Sequence, residues 1–139
     1  MFDSDCMENL RRLVQQSQAD IVLSSSWRCS EIGIDEVNSQ LRHVGLREII
    51  GVTPTTGFQT RSDEILEWLS HHPSVEHFVA LDDMDLSFPH GEPFIRHFLH
   101  TDTECGLTAA DADRAIEILQ QKVNRAELPK PITQEETLW

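Results

Sequence analysis

The chain has 139 residues, which is enough for one domain with a core of its own. Its 11 Lys and Arg residues against 24 Asp and Glu residues give a formal net charge of −13, which argues against broad electrostatic binding to nucleic acid or to anionic membranes. The 39 % of hydrophobic and 25 % of charged residues argue against a disordered chain or a coiled coil.

Helical and extended patterns alternate from the start of the chain. Apolar residues at helical spacing from Cys6 to Val14 predict an opening helix, whose start is capped by a side chain among residues 3–5. The β-branched run from Ile21 to Leu23 predicts a buried strand that ends at Ser24.

Two more helices are predicted in the middle of the chain. An apolar stripe from Ile34 to Val44 predicts the second helix, which Gly45 ends. Residues 49–57 contain proline and glycine and are interpreted as a connector. The third helix begins near Arg61 and ends before Pro73, because the residue before a proline avoids the helical region.

The second half of the chain adds two strands and a helix. The run from Phe78 to Leu81 predicts a buried strand that ends at Asp82 and Asp83, and a third strand is predicted over Ile95 to Leu99. A last helix follows Thr108. The residues that we expect it to bury are Ala112, Ala115, Ile116, Leu119 and Val123.

These elements predict an α/β fold with a parallel sheet, because helices alternate with short, continuously apolar strands. The domain is predicted to span residues 1–125, and a loose, acidic tail to span residues 126–139. In open parallel sheets, ligands bind outside the carboxyl ends of the strands. The side chains that follow the first two predicted strands are therefore the first candidates for a site.

The sequence also gives an expectation for the compartment. No run of about eighteen apolar residues predicts a membrane span, and residues 1–5 lack the basic and apolar regions of a signal peptide. Three widely spaced cysteines, Cys6, Cys29 and Cys105, match neither a disulfide framework nor a zinc site. We therefore expect a reducing compartment, namely the cytoplasm.

Polar side chains follow the first two predicted strands, which end at Ser24 and at Asp82. The adjacent carboxylates of Asp82 and Asp83, with Asp85 close behind them, suit a hard cation such as Mg²⁺, although aspartate is also common in turns. Ser24 and Ser25 can bind phosphate through hydroxyl and backbone donors, or they can cap a helix. The sequence thus predicts a site that binds a cation through the aspartates and phosphate through the serines. The structural alternatives are that the aspartates form a turn and that the serines cap a helix.

Two arginines lie close to these polar groups. Arg61 opens the third helix and can clamp a phosphoryl group, or it can lie solvated beside Asp63 and Glu64. Arg28 can meet an anion or stack on the indole of Trp27.

The order of these features resembles motifs two, three and four of the haloacid dehalogenase (HAD) superfamily of phosphotransferases. More closely, the chain is similar to the HAD domain of Swiss Army Knife RNA repair proteins, over about residues 2–123. The segments that carry the resemblance are Ala19 to Arg28, Gly45-Leu46, Gly51 to Pro54, Arg61 to Trp68, Leu81 to Asp83, Thr101-Asp102 and Gly106 to Thr108.

The resemblance implies a three-layer, Rossmann-like fold, in which helices cover both faces of a parallel sheet. It also implies Mg²⁺-dependent phosphoryl transfer by an aspartate nucleophile, with a second aspartate as acid and base. The residues that it assigns are Ser24 and Arg61 to catalysis, Ser24, Ser25 and Arg28 to phosphate binding, and Asp82 and Asp83 to the metal.

The chain departs from the family at the first motif, an apolar strand that ends in Asp-x-Asp-Gly. Asp3-Ser4-Asp5 has no strand before it and no glycine after it, so it is interpreted as a helix cap. We therefore expect the central strand and the nucleophile to be missing, which leaves two sheet edges open.

Three functions follow as alternatives. The first is a HAD-like phosphatase domain that is inactive as this chain, and the second is a non-catalytic pseudo-enzyme that serves as a binding or regulatory module. The third is an acidic α/β domain without a site. The expected partners are a small phosphorylated substrate, a nucleic-acid end, a second copy or a strand-donating protein, and no membrane.

Overall fold

The computed structural model describes residues 4–24, 31–55, 57–58, 60–87, 90–102 and 105–132, without the side chains of residues 31 and 32. Five helices and four strands lie in this part of the chain: α1 (Ser4–Ser17), β1 (Val22–Leu23), α2 (Glu31–His43), β2 (Gly51–Val52), α3 (Arg61–Ser70), β3 (Ala80–Asp82), α4 (Glu92–Ile95), β4 (Phe98–His100) and α5 (Ala109–Leu119). The strands form two separate parallel pairs there, β1 with β2 and β3 with β4. The α/β class with parallel pairing is confirmed, and the three-layer arrangement stays a prediction.

Helix α1 packs against the strands of both pairs. Met7 belongs to an apolar cluster that includes Leu23 of β1, and Leu13 belongs to a second cluster that includes Leu81 of β3. Leu10 packs against both clusters. The apolar face predicted for the first helix is therefore the face that joins the two halves of the fold.

Strand β3 sends successive side chains to opposite faces, as a pleated strand must. Ala80 packs with Leu66 of α3 and with Phe94 of α4, whereas Leu81 packs in the cluster of α1 and α5. Asp82, two residues after Ala80, therefore lies on the same face as α3. This placement brings the end of β3 to the start of α3.

The ends of the helices agree closely with the turn and cap residues. Gly45, at φ 79°, follows α2, and α3 begins at Arg61 as predicted. Thr108 and Asp111 form a capping box at the start of α5, in which each side chain accepts a hydrogen bond from the backbone of the other residue. The residues that this last segment buries fully are Ala112, Ala115, Ile118 and Val123, with Ile116 and Leu119 half-buried.

The interpretation of residues 49–57 as a connector is wrong, because the segment contains β2. The amide of Ile50 donates to the carbonyl of Ile21 at 2.9 Å, and the amide of Thr53 donates to the carbonyl of Leu23 at 3.0 Å. A strand of two residues, one of them glycine, shows no alternation of apolar and polar side chains. The sequence pattern therefore could not indicate it.

The third predicted strand, from Ile95 to Leu99, is also placed wrongly. Helix α4 extends to Ile95, and β4 begins only at Phe98. Gly91, at φ 69°, precedes this helix, and Pro93 lies in its first turn, where the missing N–H of proline has no cost. Ile95, which the apolar pattern assigned to the strand, is therefore the last residue of this helix.

The segment after α5 crosses helix α3 from its end to its start, and we call residues 125–132 the strap. The guanidinium of Arg125 donates to the carbonyl oxygens of Leu69, His72 and Val75 at 2.7–3.0 Å. At the other end of α3, the amide of Ile132 donates to Asp63 at 3.0 Å. The first part of the predicted loose tail thus makes ordered contacts, residues 133–139 lie outside the described residues, and the domain boundary at residue 125 stays a prediction.

None of the helices in the described ranges is both long and apolar enough to cross a membrane. The cytoplasmic location stays a prediction.

Candidate functional site

Arg61 and Asp82, two of the predicted site residues, form a buried ion pair. Asp82 is the last residue of β3, and Arg61 is the first residue of α3. Nη1 of Arg61 donates to Oδ2 of Asp82 at 2.6 Å, and the two side chains are 19 % and 6 % exposed. Oδ1 of Asp82 accepts from the amide of Met84 at 3.0 Å. Arg61 is therefore held at the end of the strand, and is not the solvated arginine of the alternative interpretation.

A buried polar cluster fixes the turn of α3 that carries Arg61. Oδ2 of Asp63 accepts from the hydroxyl of Thr60 at 2.7 Å, and Oδ1 accepts from the amide of Ile132 and from Nε2 of His90. The side chains of Asp63 and His90 are only 1 % and 6 % exposed. We call Thr60, Asp63, His90 and the Ile132 amide the Asp63 cluster.

One local pattern in the sequence indicates part of this cluster. Thr60 and Asp63 are spaced as a capping threonine and an acidic residue of the first helical turn, and the Thr60 hydroxyl accepts from the amide of Asp63. His90 and Ile132 come from distant segments, so no local pattern connects them to Asp63. The alternative interpretation, a solvated Arg61 beside Asp63 and Glu64, is also wrong for Asp63, because Asp63 is buried in this cluster.

The other aspartates after β3 are exposed and belong to turns. The carbonyl oxygen of Asp83 accepts from Nε2 of His100 at 2.9 Å, and the Asp83 side chain faces solvent. The hydroxyl and the amide of Ser87 donate to Asp85 and lower the pKa of that carboxyl group. Asp85 is thus a turn residue, whereas Asp83 keeps a carboxylate next to the buried Asp82.

The phosphate side of the predicted site lies at the end of the other strand pair. Ser24 follows β1 directly, while Ser25 and Arg28 lie outside the described residues. Beside Ser24, at the end of β2, is Thr53, which the sequence analysis did not single out. Thr53 is 3 % exposed, and its buried hydroxyl has no hydrogen-bond partner in the described part of the chain. The sequence indicates Thr53 only through its position after the apolar Val52. Because β2 was not predicted, Val52 was not recognised as the end of a strand.

Replacing Thr53 by Val is expected to raise the free energy of unfolding by about 1 kcal/mol, because it removes a buried hydroxyl without a partner at nearly constant volume. Chemical denaturation of the two proteins measures the change. Thr108→Val is the matched control, and it should lower the free energy of unfolding by about 1 kcal/mol, because that hydroxyl caps α5. Equal losses in both variants would mean that the Thr53 hydroxyl has a partner.

The donor chemistry at the end of β3 suits a hard cation. Mg²⁺ is bound through one or two carboxylates and keeps several waters, which Asp82 and Asp83 can satisfy. Within the described ranges, however, no group of three His, Cys, Asp or Glu side chains comes together in a way that could hold a metal ion. Because Arg61 already balances the charge of Asp82, a cation there has to share this carboxylate or displace the guanidinium.

The histidines near the site have structural partners. His97 is 5 % exposed, donates from Nδ1 to the carbonyl of Phe78 at 3.1 Å, and stacks on the Phe78 ring with a centroid distance of 4.5 Å. Burial lowers the pKa of His97 below its ordinary value, so the ring is neutral near pH 7. His90 and His100 are held by Asp63 and by the Asp83 carbonyl.

One of three comparisons with known proteins gives a match. The family model described as the HAD domain in Swiss Army Knife RNA repair proteins matches residues 1–112. The match covers about four-fifths of the chain and includes Ser24, Arg61, Asp82 and Asp83. Searches of the curated proteins and of the solved structures found no match.

Proposed function

The chain belongs to the family of HAD domains in Swiss Army Knife RNA repair proteins, and we propose that it is a phosphoryl-binding domain of phosphatase ancestry. In this proposal a small phosphorylated substrate or a phosphorylated nucleic-acid end binds at the carboxyl ends of β1 and β3. The observation that carries the proposal is the buried pair of Arg61 and Asp82. A guanidinium fixed at a strand end presents several N–H donors in a geometry that matches phosphoryl oxygens.

The remaining polar groups have complementary roles in the proposal. The hydroxyl of Ser24 donates to a phosphoryl oxygen from the end of β1, next to the buried hydroxyl of Thr53 at the end of β2. Asp82 orients Arg61, since the carboxylate engages one of its terminal nitrogens. A chain with a net charge of −13 repels anions at long range, so binding depends on local positive charge.

Asp82 and Asp83 would hold Mg²⁺, and the bound ion would offset the negative charge of the phosphoryl oxygens. The cation and Arg61 would then share the Asp82 carboxylate. We expect Mg²⁺ alone to bind weakly, and to bind better together with a phosphoryl group, because the group provides further oxygen ligands.

We further propose that this chain binds phosphoryl groups without transferring them. The aspartate nucleophile implied by the family resemblance follows a strand, and the nearest match in this sequence is Asp3-Ser4-Asp5. Asp5 lies exposed in the first turn of α1, which is a helical position, and not at a strand end. Asp82 is paired with Arg61 and so is engaged in orienting the guanidinium.

The test combines ligand-induced thermal shifts with an assay of aryl phosphate hydrolysis. Inorganic phosphate with Mg²⁺ should raise the melting temperature of the wild-type chain and of Asp85→Asn, which changes an exposed turn residue. Asp82→Asn should lose the shift, and Asp83→Asn should weaken the contribution of Mg²⁺. Hydrolysis by the wild-type chain above that of Asp82→Asn would overturn the proposal that the chain binds phosphoryl groups without transferring them. An absence of any shift would favour the domain without a site.

A second candidate, a module that accepts a strand from a partner, is favoured by the two strand pairs, which are separate within the described residues and are joined through α1. A strand from a second copy or from another protein could pair with an open edge. Size-exclusion chromatography across a range of concentrations tests this candidate. Self-association that an apolar, β-branched peptide abolishes would support it, and a monomer that the peptide leaves unchanged would contradict it.

A further inference from the structure

Two cysteines that are far apart in sequence lie next to each other in the fold. Cys6 is in the first turn of α1, and Cys105 is in the loop between β4 and α5. Sγ of Cys6 donates to the carbonyl oxygen of Cys105 at 3.4 Å. Since that oxygen is two bonds from the Cα of its own residue, the Cys6 sulfur lies within about 6 Å of the Cys105 Cα. A disulfide needs the two sulfurs about 2 Å apart, so the thiol of Cys105 has to turn towards its neighbour Cys6.

The loop holds the sulfur of Cys6 against its backbone. A Cβ added at Gly106, whose φ is 65°, would lie 2.6 Å from Sγ of Cys6, so only glycine fits there. The loop is closed by hydrogen bonds from the amides of Cys105 and Gly106 to Asp102. One turn along α1, the side-chain amide of Asn9 donates to the carbonyl of Leu107 at 3.0 Å. The thiol of Cys6 and the backbone of Cys105 are therefore held next to each other by contacts on both sides.

The same two cysteines line an open groove of about 400 Å³. Cys105 is exposed, whereas Cys6 is half-buried. The carboxylates of Asp5 and Glu8 also line the groove. A small reagent can thus reach Cys105 first, and the acidic lining favours a cationic reagent over an anionic one.

We propose that Cys6 and Cys105 form a reversible intramolecular disulfide by exchange with a small-molecule disulfide. The Cys105 thiolate attacks one sulfur of the reagent, which forms a mixed disulfide and releases one thiolate of the reagent. The Cys6 thiolate then attacks the Cys105 sulfur of the mixed disulfide and releases the second thiolate of the reagent. The protein loses two protons and two electrons, and the reagent is reduced to two thiols.

A disulfide accounts for this pair better than a bound metal does. No third His, Cys, Asp or Glu side chain from the described part of the chain joins the two thiols in a cluster suited to a metal ion. The cross-link would fix α1 to the loop that leaves β4, whose residue Thr101 donates from its amide to the carbonyl of Asp82. Oxidation would therefore stiffen the edge of the fold that also carries the buried ion pair.

The experiment treats the wild-type chain and Cys29→Ser with cystamine, a cationic disulfide, and maps the products without reduction. Trypsin releases Cys6 in residues 1–11 and Cys105 in residues 97–114. These two peptides should appear linked, two hydrogens lighter than their sum. Because the bond closes a loop of about 100 residues in the unfolded chain, we expect the melting temperature to rise by about 5–10 °C and a reductant to reverse the rise.

Two comparisons sharpen the test. Cys6→Ser should stop at a cystamine adduct on Cys105, without the rise in melting temperature. Cystamine should react faster than the anionic disulfide of glutathione at low salt, and added salt should reduce this difference. Stable adducts on both cysteines, disulfide-linked dimers, or a bond from Cys29 to either thiol in the wild-type chain would overturn the proposal.

Discussion

Arg61→Met is expected to lower the free energy of unfolding by about 3–5 kcal/mol. The substitution keeps most of the aliphatic volume of the side chain but leaves Asp82, whose side chain is 6 % exposed, as a buried charge without its counterion. Denaturant unfolding measured near pH 7 gives the loss. The matched control is Arg47→Met, because Arg47 pairs with Asp20 at the surface, where the side chains are 73 % and 42 % exposed. That pair should contribute less than about 1 kcal/mol.

Two further measurements separate burial of charge from loss of packing. The double variant Arg61→Met with Asp82→Leu should recover much of the lost stability, because no charge then remains unpaired. Adding Mg²⁺ should stabilise Arg61→Met more than the wild-type chain, because Asp82 is then available to the cation. A double variant that is as unstable as the single variant, together with no effect of Mg²⁺, would show that the guanidinium acts through packing alone.

The helices could be predicted from the sequence because their signals are local. The apolar spacing of α1, the glycine after α2 and the proline after α3 each act within a few residues of the element that they define. Strand β2 could not be predicted, because a parallel pair of two residues depends on the amides of Ile50 and Thr53 meeting β1. Its stability comes from a distant segment, which no pattern within residues 49–57 can report.

The same difference between local and distant contacts explains what could be predicted of the site. Asp82 follows a clearly apolar strand and Arg61 opens a clearly bounded helix, so the rule that ligands bind at strand ends selected both. The sequence did not indicate which side chain pairs with each of them. Arg61 has acidic neighbours in sequence at Asp63 and Glu64, yet it pairs with a carboxylate 21 residues away. Thr53 was missed because the strand before it was missed.

Asp63→Ala is expected to lower the free energy of unfolding by about 3–5 kcal/mol, the second large effect. Asp63 is 1 % exposed and accepts hydrogen bonds from Thr60, His90 and the Ile132 amide. Its removal leaves the buried His90 ring, the half-buried Thr60 hydroxyl and the half-buried Ile132 amide without this acceptor, and each unsatisfied buried donor costs about 1–3 kcal/mol. Denaturant unfolding measures the total, and amide hydrogen exchange at Ile132 measures whether the strap is released from α3.

Asp111→Ala is a closely matched control, because both aspartates occupy the third position of a helix that a threonine caps. Asp111 accepts from the amide of Thr108 and has no such contact with a distant segment among the described residues, so its loss should cost only about 1 kcal/mol. Exchange at Ile132 should be faster in Asp63→Ala and unchanged in Asp111→Ala. If the two variants lost equal stability and Ile132 stayed protected in both, Asp63 would act as a helix cap alone. The strap and the segment around His90, between β3 and α4, would then be held by their apolar contacts. The position of Arg61 would not depend on either segment.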